Sequence, residues 1–153
     1  MKNKILLTIL VSIGLSACST NRLDAVASKE VPIERMYWES GRESSNGDSV
    51  IIVKRDSGPT YSACTANIFF QGTRVSELEP GEKVTMYVNS GEYVIGEFLS
   101  GAGCLPFLKT LVAVIKPNSN NVFRVKTTFM GANGGDALIR DNDISMVLMN
   151  SLN

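Results

Sequence analysis

A two-residue period of apolar and polar positions runs through the middle of the chain. It is clearest over residues 83–88, where Val84, Met86 and Val88 alternate with Lys83, Thr85 and Tyr87. Residues 65–71 show the same alternation, as do residues 123–129, and their apolar positions are Ala66, Ile68, Phe70, Phe123, Val125 and Phe129. Such a period predicts strands with one buried and one solvated face.

Three further segments are rich in β-branched residues. Residues 50–53 form a short run of this kind, and residues 92–99 and 109–115 are apolar on both faces. Apolar character on both faces is typical of strands covered on both sides, so we expect the last two to be central strands of a sandwich.

The connections between these segments contain turn-forming residues. They are Gln71-Gly72, Glu79-Pro80-Gly81-Glu82, Asn89-Ser90-Gly91-Glu92 and the polar stretch 118–121. In the second of these, Pro80 fixes φ and Gly81 supplies the positive φ of a type II turn. The sequence therefore predicts a mainly β fold, a small antiparallel β-sandwich or barrel of about six to seven strands.

The C-terminal part of the chain is predicted separately. Residues 131–136 (Gly-Ala-Asn-Gly-Gly-Asp) indicate a flexible break, and Ile144, Val147, Leu148 and Leu152 follow at helical spacing. We expect a short C-terminal helix, capped by Asp141 or Asn142, to pack on the sheet. A final strand over residues 144–148 is the alternative.

The N-terminus has the parts of a secretory signal. Lys2 and Lys4 precede an apolar run over residues 5–15, which is shorter than the roughly 20 residues that span a bilayer. The sequence Leu15-Ser16-Ala17-Cys18 then resembles the lipobox of bacterial lipoproteins. That resemblance implies diacylglycerol transfer to the Cys18 thiol, cleavage before Cys18 and acylation of the new amino group. The alternative is an ordinary signal peptide cleaved near Ala17.

The lipoprotein resemblance implies a location as well as an anchor. Several acyl chains hold a protein on a membrane far more firmly than one chain does. Ser19 stands where an Asp favours inner-membrane retention in enterobacterial lipoproteins. We therefore expect the lipoprotein to be sorted to the outer membrane, with its domain facing the periplasm. The predicted organisation is a signal peptide over 1–17, an acylated tether over 18–29 and one β-rich domain over 30–153.

Composition narrows the possible functions. The chain has 153 residues, 44% of them hydrophobic, enough for one domain with a real core. Its 15 basic and 15 acidic residues balance. Removal of residues 1–17 takes away Lys2 and Lys4, so the formal net charge of the mature chain is about −2. No nucleic-acid partner is expected from such a balance. The absence of histidine excludes a Ser-His-Asp triad, a Cys-His pair and a His-ligated zinc site.

Two cysteines remain besides Cys18. In the oxidising space outside the cytoplasm, Cys64 and Cys104 are expected to form one disulfide. Closing a loop of that length stabilises a fold by roughly 4 kcal/mol in the chain-entropy model. A redox pair or catalytic thiol is the alternative, but the sequence has neither C-x-x-C spacing nor a histidine to activate a thiolate.

Residues 64–96 resemble the small β-domain of bacterial lipoproteins related to the PEGA type. The resemblance rests on a strand and tight turn over 68–72, on Pro80-Gly81-Glu82, and on Met86-Tyr87-Val88 followed by Ser90-Gly91-Glu92-Tyr93. The chain departs from the pattern where Asn89-Ser90-Gly91 replaces a second Pro-Gly. The resemblance implies a β-sandwich on an envelope protein and implies no activity.

The acidic residues do not form a pattern typical of a catalytic or metal site. Asp136, Asp141 and Asp143 lack the ligand spacing of an EF-hand, and we expect a helix cap beside solvated acids. Glu77, Glu79 and Glu82 flank a turn and are expected at the solvated surface. Residues 131–135 lack the Lys-Ser/Thr of a P-loop. We therefore expect no catalytic residues, no metal and no cofactor.

Two functions from different classes follow. The first is a non-enzymatic, lipid-anchored envelope protein whose β-domain binds a protein or cell-wall partner, through an exposed apolar patch that includes Tyr61 or Phe107. The second is an inhibitor or immunity lipoprotein acting on an envelope-attacking enzyme such as a lysozyme. Ser90-Gly91-Glu92-Tyr93 is one residue short of the Ser-Gly-x-x-Tyr loop of lysozyme inhibitors, so Ser90 and Tyr93 are its candidate binding residues. The single Trp38 is expected to be a core or edge anchor.

Overall fold

Nine strands and three short 3₁₀ turns make up the described part of the computed structural model, which covers residues 20–104, 107–127 and 136–141. The 3₁₀ turns span Ile33–Arg35, Glu39–Arg42 and Ser44–Asn46. The strands are β1 (Lys29–Glu30), β2 (Ser49–Arg55), β3 (Thr65–Phe70), β4 (Thr73–Leu78), β5 (Glu82–Val88), β6 (Gly91–Ser100), β7 (Lys109–Ile115), β8 (Asn120–Thr127) and β9 (Asp136–Arg140).

The strands form two sheets, which confirms the predicted small β-sandwich. The first sheet has the order β1-β5-β2-β8-β9, and the second has the order β4-β3-β6-β7. Most neighbouring strands are antiparallel, as predicted, and the two parallel pairings are β2 with β8 and β1 with β5. The chain crosses to the second sheet between β2 and β8, so these neighbours run in the same direction.

The core lies between the sheets and follows the predicted alternation. The inward positions of β3, β5 and β8 are buried, among them Ile68, Met86 and Phe123. Two-residue periodicity identifies these strands because each has one face on the core and the other turned outward.

Three strands were missed by the sequence prediction, each for a local reason. β1 has only two residues, and β9 begins at Asp136, within the predicted flexible break. β4 follows a two-residue hairpin turn at Gln71 and Gly72, whose φ values of 50° and 80° suit the twist of paired strands. A register shift in its pairing with β3 leaves both Val75 and Ser76 buried, so β4 does not alternate.

The segment before β1 packs on the outer face of the first sheet, in contrast to the free tether that its composition predicts. Ala25 and Ser28 are buried, and Ala25 clusters with Val122. Lys54 and Lys83 donate hydrogen bonds to carbonyl oxygens of this segment. Residues 21–28 therefore cover part of the first sheet.

A buried arginine closes one end of the sandwich. Arg55, the last residue of β2, is 1% exposed, and its guanidinium donates to the carbonyl oxygens of Cys64 at 2.6 Å, Leu78 at 2.9 Å and Tyr61 at 2.7 Å. Burial lowers the pKa of Arg55 to about 10, while the fully buried carboxylate of Glu97 in the second sheet acts in the opposite direction. Arg55 thus joins its own sheet to the second sheet and to the β2–β3 loop.

The predicted disulfide between Cys64 and Cys104 is present at the same end. It joins the start of β3 to the loop after β6. Gly101 allows this close approach, since its φ is 130° and a Cβ there would lie 2.8 Å from the carbonyl oxygen of Ala63.

Glu82, expected at the solvated surface, and Asp141, expected as a helix cap beside solvated acids, instead have their side chains largely buried in ion pairs. Glu82 accepts two hydrogen bonds from Arg35, each 2.7 Å long, and Asp141 pairs with Lys54 at 2.7 Å and Arg22 at 2.8 Å. Glu79, in the same turn as Glu82, is exposed as predicted. The sequence marks the turn at Gly81, whose φ is 82°, but it does not show which carboxylate faces an arginine.

Several predictions fall outside the described residues. They are the signal peptide and lipobox within 1–19, the break over 131–135, the C-terminal helix or strand over 144–152, and the side chains of Asp136 and Asp143.

The contacts of Arg55 predict a large loss of stability on its removal. Arg55→Met removes the donor from the buried carbonyls of Cys64 and Leu78 and the cation beside buried Glu97, so we expect the free energy of unfolding to fall by about 3–5 kcal/mol. Urea unfolding measures the change. Arg74→Met, which removes a surface ion pair with Glu77, should cost no more than about 1 kcal/mol. An Arg55→Met protein as stable as the Arg74→Met control would contradict this role.

The Arg35–Glu82 pair predicts an acid-dependent loss of stability. Burial acts to raise the pKa of Glu82, but hydrogen bonds from Arg35 and from the Glu79 backbone N–H leave it below its ordinary value. The stabilisation is therefore complete above the unfolded pKa of about 4.3 and is lost as pH falls through the lower folded pKa. Urea unfolding between neutral and acidic pH should show a shallower decline for Glu82→Gln than for wild type. Glu79→Gln should keep the wild-type slope, and an unchanged slope in Glu82→Gln would refute the assignment.

Candidate functional site: the open face of the second sheet

The two outer faces of the sandwich differ in what covers them. Residues 21–28 lie on the first sheet, fastened by Lys54 and Lys83 and by the ion pair of Arg22 with Asp141. The outer face of β6 and β7 in the second sheet carries exposed apolar side chains instead. We call the set Val94, Phe107, Leu108, Val112 and Val114 the open face.

The register of β6 and β7 places these side chains together. Val94 pairs directly with Val112, and Val114 is the next outward residue on β7. The alternate residues Ala113 and Ile115 are buried in the core. The outward side chains of β7 are thus a row of valines two residues apart, at 58% and 60% exposure for Val112 and Val114.

The loop before β7 extends this row. Leu108 reaches across Gly96 of β6, with its Cδ1 3.5 Å from the position of a Cβ there. Phe107 and Leu108 are 61% and 59% exposed. Gly96 gives Leu108 room to lie on the sheet, so that loop and strand form one continuous apolar surface.

This surface lies at the edge of its sheet. β7 is the last strand in the order β4-β3-β6-β7 and has seven residues, most of them β-branched or apolar. The expectation that 109–115 is a central strand covered on both faces is therefore wrong, because nothing within the described chain covers its outer face. Arg140 of β9 donates to the Val114 carbonyl at 3.4 Å. Exposed apolar edge strands favour association with another surface.

The structure separates the two residues predicted for the apolar patch. Phe107 belongs to the open face. Tyr61 is partly buried against the core, and its carbonyl oxygen accepts a hydrogen bond from Arg55. Tyr61 therefore helps to close the end of the sandwich and is not part of the patch.

Ser90 and Tyr93 do not form a protruding inhibitory loop. Asn89 and Ser90 are a two-residue link between β5 of the first sheet and β6 of the second. Tyr93 lies within β6, with its ring 4.8 Å from that of Phe70 and its hydroxyl donating to the Asn89 carbonyl. This arrangement offers no support for the inhibitor hypothesis.

Trp38 packs against the core, at the end of the sandwich opposite Arg55. Its ring stacks on Phe70 with centroids 5.2 Å apart, and Arg74 lies over the neighbouring Tyr37 ring. A shallow groove of about 300 Å³ runs beside these rings. The stack joins the 3₁₀ turns to the second sheet.

The acidic candidates are taken up by ion pairs where they are described. Asp141 and Glu82 each face cations of the chain itself. Over residues 20–104, 107–127 and 136–141, no group of three or more Cys, Asp or Glu side chains is placed to hold a metal ion. The same residues contain no helix both long and apolar enough to cross a bilayer.

Comparison with protein families, with curated proteins and with solved structures gives no match to this chain. The functional assignment therefore depends on the chain's own surface. Val94, Val112 and Val114 were not among the predicted site residues. Periodicity alone does not separate a strand covered on both faces from an edge strand with an apolar outer face.

Proposed function

We propose that this protein is a lipid-anchored envelope lipoprotein whose non-catalytic β-sandwich binds a partner protein through the open face. The observation that carries the proposal is the row of exposed valines on β7 beside Phe107 and Leu108. A contiguous exposed apolar surface on a folded domain is typical of a site that associates with another surface.

The chemistry of the face favours a protein over a soluble small ligand. The exposed side chains lie on a strand surface, whereas small ligands are bound in concave pockets. A strand edge offers backbone groups in addition to side chains, so an extended segment of a partner would gain both hydrogen bonds and apolar contacts.

The anchor part of the proposal rests on the sequence. The n-region, apolar run and Leu15-Ser16-Ala17-Cys18 support acylation of Cys18, and Ser19 supports sorting to the outer membrane with the domain in the periplasm. Anchoring raises the local concentration of the domain at the membrane, so that a moderate affinity for an envelope partner is sufficient.

Photo-crosslinking in intact cells tests the partner. A benzophenone amino acid at Val112 should give one discrete adduct, identified by mass spectrometry. The same amino acid at Val26 is the matched control, since Val26 is 63% exposed but lies on the segment covering the first sheet. Val114→Asp should abolish the adduct by placing a charge in the apolar contact.

Two other crosslinking results would contradict a protein partner on the open face. Equal adduct patterns from Val112 and Val26, or none from Val112, would contradict a partner on the open face. An adduct from Val112 that is released by a muramidase would assign the face to the cell wall instead of a protein.

Substitution of Cys18 tests the anchor. Cys18→Ala should remove the acyl mass from the mature protein and release it from the membrane fraction, because the acyl chains supply the membrane affinity. Ser19→Ala is the control and should remain acylated. A Cys18→Ala protein that still carries acyl chains would disprove the lipobox.

A further inference from the structure

Three of the connections at the end of the sandwich closed by Arg55 contain few charged side chains, although exposed Lys29 also lies here, with its backbone N–H bonded to the Gly81 carbonyl. The β2–β3 connection over residues 56–64 contains Asp56, which is buried and paired with Arg124, and no other ionisable group except Tyr61, since Cys64 is in the disulfide. The β6–β7 connection over 101–108 contains none, since Cys104 is in the same disulfide. Another connection at this end, residues 79–81, contains Glu79, whose carboxylate lies 3.8 Å from Arg35. We call this surface the loop end.

The chain reaches the sandwich at the same end. Asn21 and Ser57 exchange two backbone hydrogen bonds, of 2.8 and 3.0 Å, immediately after β2. Leu23 then lies against Gly81 in the β4–β5 turn, with its Cδ1 3.4 Å from the position of a Cβ there. The N-terminal segment is thus fixed to the loop end from Asn21 onward.

This attachment limits how far the domain can stand from an acylated Cys18. Asn21 follows Cys18 by three residues, and an extended chain spans at most about 3.6 Å per residue, so the reach is about 10 Å. That distance is about the depth of the interfacial region of a bilayer. With so short a connection, the loop end is the part of the domain nearest the lipid.

Among the described residues of this end, Phe107 and Leu108 are large apolar side chains that are exposed. Lys109, which follows them, lies opposite Glu97 in the β6–β7 register. β6 ends three residues after Glu97, at Ser100. The disulfide from Cys104 to Cys64 holds the connection against the β2–β3 loop. Both side chains are well over half exposed.

We propose that the loop end rests on the bilayer and that Phe107 and Leu108 enter its interfacial region. The inference depends on the proposed acylation of Cys18 and divides the open face into two parts. Phe107 and Leu108 contact lipid, while Val112 and Val114 stay above the membrane for the partner. Val114 lies five residues beyond Lys109, about 17 Å along an extended strand, which exceeds the depth to which an interfacial side chain is buried.

Fluorescence quenching of the lipidated protein tests this arrangement. In a Trp38→Phe background, which keeps a ring on Phe70, the variants are Phe107→Trp and the matched control Val114→Trp. Each is reconstituted in vesicles of phosphatidylethanolamine and phosphatidylglycerol that contain phosphatidylcholine brominated near the headgroup end of its acyl chains. Interfacial burial predicts that Phe107→Trp loses about half of its emission and that Val114→Trp loses little.

Two quenching results would overturn the membrane contact of Phe107. Equal and weak quenching of both variants, with full access to aqueous acrylamide, would overturn the membrane contact. A tryptophan at 107 shielded from acrylamide but not quenched by bromine would also overturn it and would indicate burial against protein. Failure of the anchor itself is distinguishable, because a protein without acyl chains would not float with the vesicles.

Discussion

The buried guanidinium of Arg55 is the interaction on which the arrangement of the molecule depends. It joins the end of β2 to carbonyl groups at the start of β3 and the end of β4, and therefore to the second sheet. A charge at this depth is tolerated because three carbonyl oxygens and the field of Glu97 surround it. The disulfide lies beside it and acts on the same strands. Arg55 and the disulfide together hold the loop end in one conformation.

The second feature is the difference between the two outer faces. The first sheet is covered by the chain's own N-terminal segment, through a buried alanine and hydrogen bonds from Lys54 and Lys83. The second sheet has no such cover among the described residues, and its edge strand carries valines outward. A fold that covers one sheet and leaves the other apolar directs association to one side of the molecule. If Cys18 is acylated as proposed, its short connection to Asn21 places the loop end nearest the membrane.

Much of the fold could be predicted from the sequence, because strands with one buried face alternate. The strands containing Ile68, Met86 and Phe123 were found in this way, as were the turns at Gly72 and Gly81. The pairing of Cys64 with Cys104 was predicted from the expected export and an even number of remaining cysteines, and it is present. What the sequence did not reveal depends on contacts between distant segments. The parallel pairing of β2 with β8, the ion pairs of Glu82 and Asp141, and the packing of residues 21–28 are of this kind.

The site was only partly predictable for the same reason. Phe107 was named as a candidate for an exposed apolar patch and is exposed, whereas Tyr61, named with it, is partly buried against the core. The valines of β7 were assigned to a covered strand, since a run that is apolar on both faces gives no information about its position in the sheet. Ser90 and Tyr93 matched a short motif, but their surroundings depend on the crossing from one sheet to the other. Local patterns therefore predicted elements well and predicted surfaces poorly.

Amide hydrogen exchange tests whether the open face is the surface that meets the envelope. Exchange is compared between the protein in isolated native envelopes and the purified lipidated protein in detergent. We expect slower exchange in envelopes at β7, with unchanged exchange over residues 21–28. Protection over 21–28 without protection of β7 would contradict it, because the covered sheet would then be the face that meets the envelope.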